Sequence, residues 1–226
     1  MCGRYSLRKP YIAISEHFSV QLDLFEFGPR YNIAPGQQVA VLIREREQLT
    51  LVGMKWGLVP FWAKDPKIGN RLINARVETV SEKPAFRTAL RTRRCILPAD
   101  GFYEWNSAAA SPRPVHFRFE DDRLFGLAGL WDEWEGPGGA LRSCTILTRP
   151  ANEVVAPVHH RMPVMFTEPE EIEGWLAPGP APPVSTLELC GRRTRLQAHP
   201  ASGRVNDPTF EGQDCLIPAP PSGWLF

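Results

Sequence analysis

Short runs of β-branched, aromatic and aliphatic residues recur along this chain, and turns rather than long helical stretches separate most of them. That rhythm limits the fold more than any single motif. Val39 to Ile43 and Leu49 to Trp56 flank the charged turn Arg44 to Gln48 and read as a hairpin. Cys95 to Leu97, Phe102 to Trp105, Val115 to Phe119, Leu124 to Trp131, Ser143 to Thr148, Val164 to Phe166 and Leu196 to His199 read as further strands, with a glycine-rich turn at Gly136 to Gly139. Helical patterning is confined to Tyr11 to Phe18, Pro84 to Leu90, a short piece from Asn152 toward Pro157, Glu168 to Leu176 and Ser185 to Leu189. No strand–helix–strand alternation, Walker loop or dinucleotide fingerprint occurs. The expected fold is therefore α+β, a mainly antiparallel sheet curled into a barrel-like core with a few peripheral helices.

At 226 residues the chain suits one domain spanning 1–226. The proline-rich stretch Pro178 to Pro183 is the only candidate boundary, and too little follows it to fold alone. Ser107 to Pro114 is a low-complexity loop, expected to be mobile. No apolar run is long enough to cross a bilayer and no secretory leader is visible, so a cytoplasmic protein is expected, nucleoid-associated if bacterial. The cysteines (Cys2, Cys95, Cys144, Cys190 and Cys215) are odd in number and none are paired as C-x-x-C, which favours reduced thiols over a disulfide frame or zinc site. A net charge of +1 excludes a broadly polybasic nucleic-acid binder but leaves room for a local cationic groove.

The N-terminal Met1-Cys2-Gly3-Arg4 carries the chemistry of most interest. Initiator methionine is usually trimmed before a small residue, which would leave Cys2 with a free α-amine (pKa about 7.7–8.0) beside its thiol (about 8.5). Both are nucleophiles near neutral pH, and together they can trap an aldehyde as an imine that the thiol then closes into a thiazolidine. The blander reading is merely a small second residue. Further along, Glu104 lies among Phe102, Tyr103 and Trp105, with Phe102 and Glu104 on one strand face and Tyr103 and Trp105 on the other. An apolar setting raises a carboxyl pKa toward acid–base use; the alternative is an edge-strand glutamate in water. Phe61 and Trp62, in a proline-bearing loop, either cap the core or stand out as exposed aromatics. His159 and His160 adjoin at a strand entry, where alternation keeps both from facing one site.

Taken together, Met-Cys-Gly-Arg, Arg-Tyr-Asn-Ile-Ala-Pro at 30–35, Trp-Gly-Leu-Val-Pro at 56–60 and Asn-Ala-Arg-Val-Glu-Thr at 74–79 form an ordered series. It continues with Arg-Cys-Ile-Leu-Pro-Ala-Asp-Gly-Phe-Tyr-Glu-Trp at 94–105, Ala-Gly-Leu-Trp at 128–131, His-His-Arg-Met-Pro at 159–163 and Val-Asn at 205–206. The series resembles the SOS-response-associated peptidase (SRAP) family of abasic-site-processing proteins over nearly the whole chain.

The resemblance implies a sensor of abasic sites in single-stranded DNA that joins them covalently, acting as a monomer without cofactor or metal. It implies catalytic roles for Cys2, Asn74, Glu104 and His159, with His160 on a variable position. It also implies DNA contacts at Arg4 and Arg76 on phosphates, Pro35 and Trp62 near the lesion, and Arg161. Where some relatives carry a second aromatic after the one matching Trp62, this chain has Ala63, and its 63–72 loop is longer than in some relatives. An autopeptidase step removing Met1 is implied as well. Two other readings compete: an N-terminal-nucleophile amidohydrolase, whose family also begins Met-Cys-Gly, and a non-covalent single-strand-binding module.

Overall fold

A computed structural model describes residues 2–20, 28–45, 48–106, 112–191 and 195–218; the 107–111 part of the expected mobile loop lies outside them. In chain order the strands are β1 (Tyr5–Leu7), β2 (Arg30–Ile33), β3 (Gln38–Glu45), β4 (Gln48–Trp56), β5 (Asn74–Arg76), β6 (Arg94–Ala99) and β7 (Gly101–Trp105). They continue with β8 (Pro114–Phe119), β9 (Phe125–Gly136), β10 (Gly139–Pro150), β11 (Arg161–Pro163), β12 (Met165–Phe166) and β13 (Leu196–Pro200). The helices are α1 (Tyr11–Phe18), α2 (Arg87–Thr92), α3 (Pro169–Leu176) and α4 (Val184–Leu189). Among the described residues, no helix is long and apolar enough to cross a membrane.

Strands β10, β4, β3, β6 and β9 pair in that order, and β9 pairs back with β10, closing a five-stranded barrel. The barrel closes because β9 and β10 are long enough to be shared. One stretch of β9 pairs with β6, from Arg94 opposite Leu130 to Ala99 opposite Phe125. The same strand pairs with β10 from Gly129 opposite Ile146 to Gly136 opposite Gly139. Gly129 sits at the crossover, where a Cβ would lie 2.6 Å from Leu97 Cδ1 and 2.9 Å from Cys95 Sγ. Val41, Leu42, Leu51, Ile96, Leu97, Leu127, Leu130 and Ile146 are fully buried in the core cluster. Each such side chain contributes about 1.5–3 kcal/mol relative to exposure.

A second sheet runs β13-β8-β7-β1-β2 and is antiparallel throughout. Its β7 is central rather than an edge strand, lying between β1 and β8. Helix α3 is started by a capping box, the Glu171 carboxylate accepting from the Glu168 N–H at 3.2 Å. It buries Ile172, Trp175 and Leu176.

The expected hairpin forms from β3 and β4 in the expected place, and α1 occupies the expected residues. Several local expectations shift. The helix expected over Pro84 to Leu90 is α2, beginning at Arg87, because Lys83 to Phe86 form a turn whose Lys83 carbonyl accepts from both Phe86 N–H and Arg87 N–H. Asn152 starts no helix; its side chain accepts from Val155 N–H at 3.1 Å and holds a turn. The strand expected over Val164 to Phe166 is interrupted, since the Val164 N–H leaves for Leu147 O at 2.9 Å. The sheets are antiparallel except for two short parallel pairings that β10 makes with β4 and β5.

Candidate active site

Strand pairing brings both ends of the candidate site together. Tyr5 of β1 faces Phe102 of β7, and Tyr103 N–H donates to Arg4 O at 2.9 Å, which carries Cys2 alongside Glu104. From the barrel side, β5 lies parallel to β10 with Asn74 opposite Ile146 and Arg76 opposite Thr148. The Asn74 amide then donates to the Cys2 carbonyl at 2.8 Å, fixing the backbone next to the thiol. Strand β11 pairs with the end of β10, and the residues preceding it place His159 Nδ1 3.9 Å from Glu104 Oε1. So Cys2, Asn74, Glu104 and His159 converge where the two sheets meet.

The environment sets the protonation states. Glu104 is only 3% exposed, and burial pushes its carboxyl up to about 7. The alternation read from the sequence explains why: Phe102 packs in the main core, while Tyr103 joins a smaller cluster with Ala201, Val205 and Cys215. Burial, reinforced by the Glu104 charge, holds the Cys2 thiol well above its ordinary range, so it stays protonated. Burial pulls His159 down toward the neutral imidazole. Arg161 N–H lies 3.0 Å from His159 Nδ1. Arg161 O lies 3.1 Å from the same Nδ1, so the nitrogen accepts from the N–H in one tautomer and donates to the carbonyl in the other. The Asn74 Oδ1 is buried with no hydrogen-bond partner among the described residues, an acceptor left open at the site.

Arg4 lies half-buried beneath the segment 204–216, with its Nε and Nη1 out of solvent and lacking an acceptor among the described residues. Burial lowers its pKa, with Asp207 partly opposing. Trp105 Nε1 donates to Asn206 Oδ1 at 2.7 Å and ties that segment to the end of β7. Arg76 is exposed. Pro35 sits in the turn whose Gly36 N–H donates to Trp56 O at 2.7 Å.

Phe61 and Trp62 do not cap the core: they are 55% and 47% exposed. They occupy the tip of a turn closed by Ala63 N–H on Pro60 O at 2.9 Å. Asp132 Oδ2 accepts from Phe61 N–H at 3.0 Å, and Trp134 Nε1 donates to Ala63 O at 2.6 Å, so the aromatic tip is braced from β9. Ala63 itself is buried, and the second exposed ring of this chain is Phe61 on the preceding side.

Arg161 and the two histidines take partners that the sequence did not show. Arg161 is 7% exposed and its guanidinium is engaged: Nη1 and Nη2 reach the two Glu78 oxygens at 2.5 and 3.0 Å, and Nη2 also donates to Thr148 O at 2.6 Å. These contacts tie the start of β11, next to His159, to Glu78 and β10. His159 and His160 do not diverge but stack at 4.4 Å between ring centroids. Strand alternation does not reach them, because β11 begins only at Arg161.

Sequence reasoning gave no role to Glu78, Asp132 or Trp134. Glu78 lies in the turn just past β5, and Asp132 and Trp134 reach the 60–63 turn only because the folded barrel brings β9 to it. All five cysteines are buried free thiols. No group of three His, Cys, Asp or Glu side chains among the described residues is arranged to hold a metal ion.

The family model for SOS response associated peptidase (SRAP) matches residues 1–208. The abasic site processing protein YoqW of Bacillus subtilis is 40% identical over 214 residues, covering 92% of this chain and 95% of the relative. The abasic site processing protein HMCES of Gallus gallus is 32% identical over 224 residues, covering 85% of this chain and 67% of the relative. A solved protein from Bacteroides thetaiotaomicron shares the fold with a TM-score of 0.85 at 24% identity, over 96% of this chain and all (100%) of the other. Fold, motif order and these likenesses agree: the chain belongs to the SRAP family.

Proposed function

We propose that this protein captures abasic sites in single-stranded DNA through a covalent thiazolidine at Cys2 after Met1 is removed. The observation that carries this reading is the convergence of Cys2, Asn74, Glu104 and His159 around a carboxyl held near pH 7. An abasic deoxyribose is mostly a closed hemiacetal, and only its open aldehyde reacts. Protonated Glu104 donates to the ring oxygen and opens it. The Cys2 amine adds to C1′, and loss of water gives an imine. The Cys2 thiol then adds to C1′ while its proton passes to the imine nitrogen, so the sum is aldehyde plus aminothiol giving thiazolidine and water. A thiol held protonated by burial suits this order, amine first and sulfur second. Neutral His159 relays protons at the imine. Asn74 holds the Cys2 backbone in place, and such positioning is worth effective molarities up to about 10⁵–10⁸ M.

Arg4, with unmet donors two residues from the nucleophile, takes the lesion's phosphate, and exposed Arg76 takes a neighbouring one. Trp62 stacks on a flanking base, worth about 1–3 kcal/mol, and its bulk obstructs a continuing complementary strand. The same thiol, with Glu104 and His159, removes Met1. The test is to mix purified protein with single-stranded DNA carrying one abasic site and resolve it under denaturing conditions. The expected product is a band whose mass equals Met1-free protein plus DNA less one water. A heat-stable adduct that survives Cys2→Ala undiminished would overturn the reading.

A further inference from the structure

Glu78 belongs to the sequence motif that begins at Asn74, and the proposed chemistry leaves it without a task. Strand β5 carries Asn74 along β10, and just past it Val77 N–H donates to Thr148 O at 3.0 Å. The next residue, Glu78, stands beside the start of β11. Its two carboxylate oxygens take Arg161 Nη1 and Nη2 at 2.5 and 3.0 Å. Arg161 Nη2 also reaches Thr148 O at 2.6 Å, which pins the pair to β10.

What the pair holds is the His159 ring. Arg161 presents its backbone N–H to His159 Nδ1 at 3.0 Å and its carbonyl to the same atom at 3.1 Å. The first contact serves the ring when Nδ1 is bare and the second when Nδ1 is protonated, so the imidazole can change proton state without turning. That nitrogen lies 3.9 Å from Glu104 Oε1, and a misplacement of about 1 Å can cost on the order of 10²-fold in rate.

The other buried arginines, Arg94 and Arg149, donate to backbone carbonyls around the ends of α3 and α4. Arg161 is tied to a side chain, and to one on the same short segment as Asn74. A single carboxylate therefore couples the segment bearing Asn74 to the segment bearing His159. Removing it leaves a guanidinium that is only 7% exposed without its counter-charge. Such a group must turn toward water or a new acceptor, and its backbone follows.

We propose that Glu78 is a positioning residue for the proton relay: through Arg161 it fixes the His159 imidazole against Glu104 and in step with Asn74. The role rests on the proposed crosslinking reaction.

The first arm of the test uses no DNA. In nitrogen NMR spectra of the histidine rings, Glu78→Ala should move the His159 resonances and leave those of His17, His116 and His199 in place. Glu78→Gln, of the same shape, carries the comparison if the alanine disturbs every ring. The second arm measures the maximal single-turnover rate and the half-saturating concentration on abasic single strands. Glu78→Ala should lower the maximal rate about tenfold, and Glu78→Gln, which keeps one acceptor for Arg161, should lower it less. In a His159→Ala background Glu78→Ala should change the rate by under about twofold, because the group it positions is already gone. Equal slowing in both backgrounds would overturn the role while the proposed function stands. So would unmoved His159 resonances, or a raised half-saturating concentration at an unchanged maximal rate. If wild type forms no crosslink at all, the proposed function itself fails, and the relay with it.

Discussion

Two clusters built from nearly the same side chains flank strand β7, and their surroundings differ sharply. In the first, Glu104 and His159 stand beside Cys2. In the second, Ser6 Oγ donates to Asp100 Oδ1 at 2.7 Å and lies 3.0 Å from His116 Nε2. By composition the second resembles a hydrolytic triad, yet Ser6, Asp100 and His116 are all buried. Asp100 is saturated with donors: the Arg8 and Lys9 N–H groups and Arg8 Nε at 2.9 Å, besides Ser6. Burial pushes His116 down to about 3, and a Cβ on Gly101 would fall 2.1 Å from its Nε2. All three are closed off from solvent. The two carboxylates differ through their surroundings rather than their residue type: burial holds Glu104 near neutral pH.

The comparison breaks most directly on Glu104. Glu104→Gln keeps the shape and removes the donated proton, so crosslinking to closed-ring abasic DNA should slow by about 10²–10⁴. In wild type the rate should follow a bell, rising as the Cys2 amine loses its proton (about 7.7–8.0) and falling as Glu104 ionises above about 7, and in the variant the falling limb should vanish. A single-turnover pH profile tests both. An unchanged rate would place the acid elsewhere.

The sealed cluster should respond in the other currency. Asp100→Asn leaves Arg8 short of its buried partner and should cost about 3 kcal/mol by denaturant unfolding. Crosslinking of the folded fraction should be unaffected. A loss of crosslinking without a loss of stability would mean the two clusters communicate.

Glu104 also has a stability signature opposite to that of an ion-paired acid. Its folded pKa of about 7 lies above the unfolded value, about 4.3. Below about 4.3 both states are protonated and burial costs nothing. Stability then falls as pH climbs from about 4.3 past about 7, above which the full cost of the buried charge, about 3–4 kcal/mol, is present. Glu104→Gln cannot ionise, so it should be more stable than wild type at pH 8 by about that amount and no more stable at pH 4. Parallel urea titrations at the two pH values decide it.

How much of this could be read beforehand depended on the range of the interaction. The β3–β4 hairpin, α1 and the alternation around Glu104 follow from neighbours in sequence, and the barrel-like core followed from strand rhythm. The identity of the barrel strands did not, since β9 serves two partners and periodicity does not name partners. The partner of Arg161 was not legible for the same reason. Its fate is settled by Glu78, 83 residues away. The chemistry proposed for Cys2 starts from one dipeptide, but what holds that residue, the Asn74 amide on the Cys2 carbonyl, comes from 72 residues further on.

The smallest expected effect lies beside the centre. His160 is exposed and touches the site only through its ring, stacked on His159 at 4.4 Å. His159 does not depend on that ring for its position, because Arg161 N–H donates to its Nδ1 and the bidentate Glu78–Arg161 pair anchors the strand start. His160→Ala should therefore change crosslinking by less than about twofold, equivalent to under about 0.4 kcal/mol. His159→Ala should slow it by well over about tenfold, by removing the proton relay. Because His160 in its charged form also weighs on His159, the variant should move any His159-dependent limb of the pH profile slightly upward. Paired rate measurements on the two variants test the register directly. Equal damage from both would mean that the stacked pair, rather than His159 alone, handles the proton.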